Sequence, residues 1–184
     1  MTVTIKSTPV AVLGAGSWGT ALAILLARNE NPTRLWCRSE EHAREMQASR
    51  TNQRYLDDAP FPEALTVSSD LKETLDGVQD ILIVVPSHAF HGILDQIKPL
   101  IRPDARVISA TKGLDPGSGD LLIHSANEVL GEHPFAVLSG PNFAKELAHD
   151  LPTATTIACQ DPEFLADLVR RFNNDRFRVY GSDD

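Results

Sequence analysis

The chain has 184 residues, of which 42% are hydrophobic and 23% charged, with 17 basic against 25 acidic side chains and a net charge of −8. This is ordinary globular composition for one domain, long enough to bury roughly 70% of its unfolded surface without a metal or disulfide staple. The acidic balance argues against a nucleic-acid binder, which needs a basic face to replace phosphate counterions.

Two cysteines, Cys37 and Cys159, make no disulfide framework and no C-x-x-C pair. A reducing, cytoplasmic compartment is expected from them. Lys6 followed by the apolar run 21–27 mimics a leader, but three glycines and a tryptophan intervene. The segment reads better as strand, loop and helix. No run approaches the ~20 apolar residues of a membrane span.

From the N-terminus, Pro9-Val10-Ala11-Val12-Leu13 is a short apolar, β-branched run of the kind that parallel strands show when both faces are covered. Gly14-Ala15-Gly16-Ser17-Trp18-Gly19 follows at once, and a helical stretch occupies 20–29. This G-x-G-x-x-G lies between strand and helix, as a dinucleotide-binding turn requires. Gly14 permits the tight turn, Gly16 lets the backbone approach a pyrophosphate, and Gly19 lets the helix pack close to the sheet.

A second strand is predicted at 34–37, ending Trp36-Cys37-Arg38-Ser39. An acidic residue at this strand end would accept from an adenosine ribose. Arg38 stands there instead and offers a planar fork for a 2′-phosphate, which favours NADP without strictly excluding NAD. A solvated surface arginine is the plainer reading. After a helix at 40–49, the polar and proline-rich segment 51–62 reads as a loop. Within it Tyr55 is a candidate for packing near the adenosine end, or a plain loop aromatic.

Further strands are predicted at 81–85, 106–109, 135–138 and 153–158, and helices at 90–100, 119–130, 142–149 and 162–173. Strand and helix in alternation predict an α/β fold, a doubly wound parallel sheet of the Rossmann type, over residues 1–184. Two loops follow strand ends at the edge where open sheets bind ligands. Ser109-Ala110-Thr111-Lys112-Gly113 places Lys112 to hold a phosphate or polarise a carbonyl, or merely to be exposed. Ser139-Gly140-Pro141-Asn142-Phe143-Ala144 runs into a helix with Asn142 as its N-cap, where free amides could take a second anion. His88 and His91 lack a third ligand for a metal, and Ser87 beside His88 lacks a carboxylate partner.

Three segments together resemble bacterial NAD(P)-dependent glycerol-3-phosphate dehydrogenase. They are Gly14 through Ala23, Ala110-Thr111-Lys112-Gly113-Leu114, and Ser139 through Glu146; Val85-Pro86-Ser87-His88 and Phe177-Arg178-Val179-Tyr180 agree with them. The resemblance implies interconversion of sn-glycerol 3-phosphate and dihydroxyacetone phosphate with NADP or NAD, supplying the backbone for phospholipid synthesis. It implies that Ser17, Trp18, Arg38 and Ala144 touch the cofactor, that Lys112 touches cofactor and substrate, and that Gly140 and Asn142 touch the substrate. Asn142 stands where the family more often has Ser or Thr, and an amide still donates to a phosphate or hydroxyl. The family continues into an all-helical domain carrying the catalytic lysine, so this chain reads as the cofactor-binding half, inactive alone. Its partners would be that helical domain, a small phosphate substrate and a second copy as homodimer. The rival readings are a related two-domain hydroxy-acid dehydrogenase and a stand-alone NAD(P)-sensing module.

Overall fold

The computed structural model describes residues 8–56 and 58–183. Four strands follow the pattern of fully covered parallel sheet: β1 (Val10–Leu13), β4 (Asp80–Ile83), β5 (Arg106–Ser109) and β2 (Thr33–Trp36). Side chains alternate across a strand, so β1 splits between two layers. Val10 and Val12 join the apolar layer that contains Leu22, Leu26 and Met46; Ala11 and Leu13 join the layer of Phe90, Leu94 and Ile97.

Helix α1 (Ser17–Arg28) is buried at every position from Gly19 to Ala27. A helix apolar on all sides must be covered on all sides. The sheet lies against one flank, and α6 (Ala144–Ala148) and α7 (Pro162–Phe172) lie against others. The remaining helices are α2 (Glu40–Ser49), α3 (Leu71–Leu75), α4 (Ser87–Ile97) and α5 (Leu122–Leu130).

With β3 (Leu65–Ser68), β6 (Phe135–Ser139), β7 (Thr153–Cys159) and β8 (Phe177–Ser182), the sheet has eight strands in the order β3-β2-β1-β4-β5-β6-β7-β8. The chain runs outward from β1 in both directions, the doubly wound arrangement. β1 through β6 are parallel, but β7 pairs antiparallel with β6, and β8 runs parallel to β7. This corrects the all-parallel expectation. The link 140–152 packs its five-residue α6 against α1, and the chain re-enters the sheet at the edge it left, so β7 runs back along β6.

Three elements are absent from the expectations above. β3 lies at the sheet edge with only Leu65 buried, and α3 is a five-residue helix capped by Asp70, which accepts from the Glu73 amide at 3.0 Å. β8 alternates buried Phe177 and Val179 with exposed neighbours. The segment 51–62 is a loop as expected, yet Asn52, Leu56, Ala59 and Phe61 are buried in it. Cys37 and Cys159 are both free and buried.

At the N-terminal ends of the strands, the fully buried Asp80 is held by two arginines. Arg106 donates to it from Nε and Nη2 at 2.6 and 2.9 Å, and Arg171 Nε lies at 2.9 Å. Arg106 also reaches Asp167 at 2.8 Å and stacks over Phe164, while Arg171 donates to the Thr8 carbonyl. The cluster joins β4, β5, α7 and Thr8 ahead of β1.

Removing the central anion leaves Arg171 without a carboxylate and Arg106 with Asp167 alone, so Asp80→Ala is expected to cost roughly 3 kcal/mol in denaturant unfolding. The hydrogen bond from Arg106 holds the Asp167 carboxyl below its ordinary pKa. Its contribution is therefore complete above pH ~4, where the unfolded group is ionised, and disappears as pH falls through the lower folded value. Asp167→Asn should flatten that part of the acid-unfolding curve.

Candidate functional site

The opposite edge, at the C-terminal ends of β1, β2, β4, β5 and β6, carries the glycine loop. Its three glycines do different work. A Cβ on Gly14 would sit 2.3 Å from the Val84 carbonyl oxygen, at φ +122°, and one on Gly19 would sit 1.9 Å from the Gly14 oxygen. These two let β1, β4 and α1 converge. A Cβ on Gly16 would meet nothing within 4 Å, and its φ of −74° suits any residue. Nothing in the fold requires glycine there, and the space in front of its backbone is open.

α1 starts immediately after Gly16, and its first intrahelical bond runs from the Thr20 amide to the Gly16 carbonyl at 3.0 Å. The preceding amides of the first turn have no intrahelical acceptors. No acidic residue lies in that turn, so the positive end of the helix is left for an anion.

Two clefts meet at this point. One, of about 640 Å³, runs from Gly14, Ala15 and Gly16 past Cys37, Arg38 and Ser39 to Arg54 and Tyr55. The other, of about 430 Å³, runs from Gly16, Ser17, Trp18 and Gly19 to Thr111, Lys112, Asn142 and Ala144. Gly16 and the stretch Val84, Val85 and Pro86 wall both. Together they form a long groove pinched at the glycine loop. Among the described residues, no carboxylate lines either half.

The sequence-derived candidates sort between the halves. Arg38 and Tyr55 lie in the larger cleft, the Tyr55 ring tilted against His42 at 5.8 Å. Ser17, Trp18, Lys112, Asn142 and Ala144 lie in the smaller one, with Lys112 Nζ 5.8 Å from the centre of the Trp18 ring. Gly140 lines neither. A Cβ there would come within 2.6 Å of Asn142 Oδ1 and 3.0 Å of Thr155 Oγ1, so it makes room for Asn142.

Asn142 is not the helix N-cap expected of it. Phe143 takes that position, without a side-chain hydrogen bond. The Asn142 amide is buried and donates to Thr153 Oγ1 at 2.8 Å and the Ala154 carbonyl at 2.6 Å, pinning the loop to β7. Both donor hydrogens are thereby used, so donation to a phosphate, which the residue type suggested, is closed to it. Its Oδ1 is a buried acceptor with no partner. Such an atom costs about 1–3 kcal/mol unless a donor arrives.

Sequence reasoning missed Asn52. Its Nδ2 donates to the Ala15 carbonyl at 3.0 Å and to Thr20 Oγ1 at 2.8 Å, and its Oδ1 lies 3.0 Å from His42 Nε2. Because Oδ1 can only accept, Nε2 carries the proton and Nδ1 accepts from the Cys37 thiol at 3.5 Å. Burial pushes that thiol up from its ordinary pKa, against the opposing charges of Arg54 and Arg38, so it keeps its proton. The chain of contacts welds the 51–62 loop to the glycine turn. Arg54, also missed, stands on that loop. Neither residue shows in periodicity, because both act through a fold in an irregular segment.

A family model described as NAD-dependent glycerol-3-phosphate dehydrogenase N-terminus matches residues 9–165. The chain belongs to this family. It is 52% identical over 176 residues to glycerol-3-phosphate dehydrogenase [NAD(P)+] of Coxiella burnetii, covering 96% of this chain and 53% of that protein. The corresponding enzyme of Colwellia psychrerythraea is 50% identical over 95% of this chain and 53% of its own length. The crystal structure of the Coxiella burnetii enzyme superposes with a TM-score of 0.94 at 50% identity, over 97% of this chain and 55% of that one. Glycerol-3-phosphate dehydrogenase of Plasmodium falciparum gives 0.89 at 25% identity, over 97% and 53%. The chain thus spans about half the length of the relatives it matches.

The division among the glycines is open to measurement. Gly19→Ala should lose roughly 3 kcal/mol or more, because the new methyl meets backbone that cannot give way. Gly16→Ala should stay within about 1 kcal/mol of the native chain, the scale of a helix N-cap change. Thermal unfolding of the two variants reads the difference.

Proposed function

We propose that these 184 residues form the dinucleotide-binding half of an enzyme interconverting sn-glycerol 3-phosphate and dihydroxyacetone phosphate with NADP or NAD. The observation that carries the reading is the pinched groove: two clefts joined at Gly16, whose missing Cβ opens onto ligand space rather than onto protein. A dinucleotide has that shape, two nucleosides joined by a pyrophosphate. The family's N-terminal model and the names of the relatives support it.

The residues fit the cofactor in parts. The amides at the start of α1 would take the pyrophosphate, and Arg38 and Tyr55 would hold the adenosine side. Trp18 and Ala144 would wall the nicotinamide side. When bound, the cofactor gives or accepts the hydride.

Lys112, exposed at the end of β5, would hold the phosphate of the substrate as a point charge. Asn142 would shape the substrate side of the cleft through the loop that its amide pins to β7. Gly140 would act on substrate only through Asn142. Lys112 serves as a binding group, and the chain spans about half the length of the relatives whose names carry the activity. We therefore infer that the catalytic lysine lies in a helical substrate domain outside these residues. Glycerol 3-phosphate made this way would feed phospholipid synthesis in the cytoplasm.

Three measurements test the reading. NADPH should bind more tightly than NADH, with Arg38→Ala removing ~1–3 kcal/mol of the preference; an unchanged ratio would sink the role of Arg38. NADPH should quench the emission of Trp18 and Trp36, and a folded Gly16→Val protein should show no such response. The 184-residue chain should bind cofactor yet not reduce dihydroxyacetone phosphate, since positioning and proton transfer together are worth ~10⁶-fold or more. Turnover near 1 s⁻¹, at the low end of ordinary enzymes, would contradict the division of labour.

A further inference from the structure

The larger cleft carries a second cation that the reading above does not use. Arg54 lines it together with Arg38 and Ser39. The two arginines come from different elements, Arg38 from the end of β2 and Arg54 from the loop after α2. Both are exposed, and among the described residues neither has a hydrogen-bond or carboxylate partner. The other arginines nearby are engaged: Arg44 with Glu40, and Arg50 with the Pro62 carbonyl. Both Arg38 and Arg54 lie close enough to Cys37 to act on its thiol.

Arg54 does not sit on a loose loop. It stands between Asn52 and Leu56, which are 0% and 1% exposed. The Leu56 and Tyr55 amides both donate to the Asn52 carbonyl, at 2.7 and 3.2 Å, closing a tight turn. Asn52 in turn holds the Ala15 carbonyl within the glycine loop itself. The backbone that presents Arg54 is thus fixed relative to the pyrophosphate position, and only the side chain has to settle on a ligand. Two like charges facing one cleft, with no carboxylate among its described lining residues, repel each other until a dianion comes between them.

We propose that Arg54 is a specificity-determining residue, the second jaw of a two-arginine clamp with Arg38 that grips a phosphate monoester on the ribose 2′ position. The proposal rests on the dinucleotide reading and deepens it. One arginine would weakly prefer a 2′-phosphate. Two from separate elements enclose the group, and each charge-assisted bond adds to the same discrimination.

The test compares adenosine 2′,5′-bisphosphate with 5′-AMP by calorimetry, since the two probes differ only in the 2′-phosphate. The native chain should favour the bisphosphate. Arg54→Ala should weaken the bisphosphate by about tenfold to a hundredfold, the range of one charge-assisted hydrogen bond, and leave 5′-AMP within about twofold. Arg38→Ala combined with Arg54→Ala should erase the discrimination. Arg44→Ala removes an exposed charge outside the cleft and should change neither affinity, which controls for the general field of the protein. Thermal unfolding confirms that each variant is folded. Equal loss for both probes would place Arg54 on the 5′-phosphate or adenine and overturn the clamp, as would no loss at all. A native chain that binds both probes alike would overturn the clamp and leave the dinucleotide site standing. If it bound neither these probes nor NADPH or NADH, the dinucleotide reading would fall with it.

Discussion

Everything at the candidate site depends on how closely the turn after β1 approaches the end of β4. Gly14 lies under the Val84 carbonyl, and Gly19 lies on Gly14 itself, with no room for a Cβ at either contact. That approach aims the start of α1 at the edge of the sheet and leaves Gly16 as its exposed rim. It also makes Val84, Val85 and Pro86 a shared wall for both halves of the groove. A wider turn would separate α1 from β4 and divide the groove at its middle.

The two edges of the sheet have opposite electrostatic designs. At the N-terminal edge, Asp80 is satisfied by Arg106 and Arg171, so the charges there are spent on each other. At the C-terminal edge Arg38, Arg54 and Lys112 face open clefts whose described lining residues include no acid. In an acidic chain this concentrates free positive charge where phosphate groups would lie. The closed cluster holds the strands in register, and the open one is left for ligands.

Between the edges, irregular segments are positioned by buried amides rather than by regular ladders. Asn52 ties the 51–62 loop to the glycine turn, and Asn142 ties the loop after β6 to the start of β7. Each uses two donor hydrogens on backbone or hydroxyl oxygens of another element. Asn52 is satisfied at its acceptor by His42, whereas Asn142 is not satisfied at all there. Both act as positioning residues, Asn52 with its acceptor satisfied and Asn142 with a buried acceptor that has no partner among the described residues.

The sequence by itself determined the β1–turn–α1 unit, the central parallel strands and the ligand-binding edge. Those features rest on local chemistry: continuous β-branched runs, glycines at three spaced positions, and loops following strand ends. It also singled out Arg38 and Lys112, because each follows directly on a recognisable strand, while Trp18 entered through the family resemblance. Only the tertiary structure decided the reversal at β7, since the link before it is fixed by the packing of α6 on α1, a helix far away along the chain. Only it decided that Gly140 serves Asn142, and that the Asn142 amide is spent on β7, because both depend on a strand distant along the chain. And only it brought Arg54 beside Arg38: the buried contacts of Asn52 and Leu56 fold an aperiodic loop back onto the glycine turn, and no local pattern records where such a loop comes to rest.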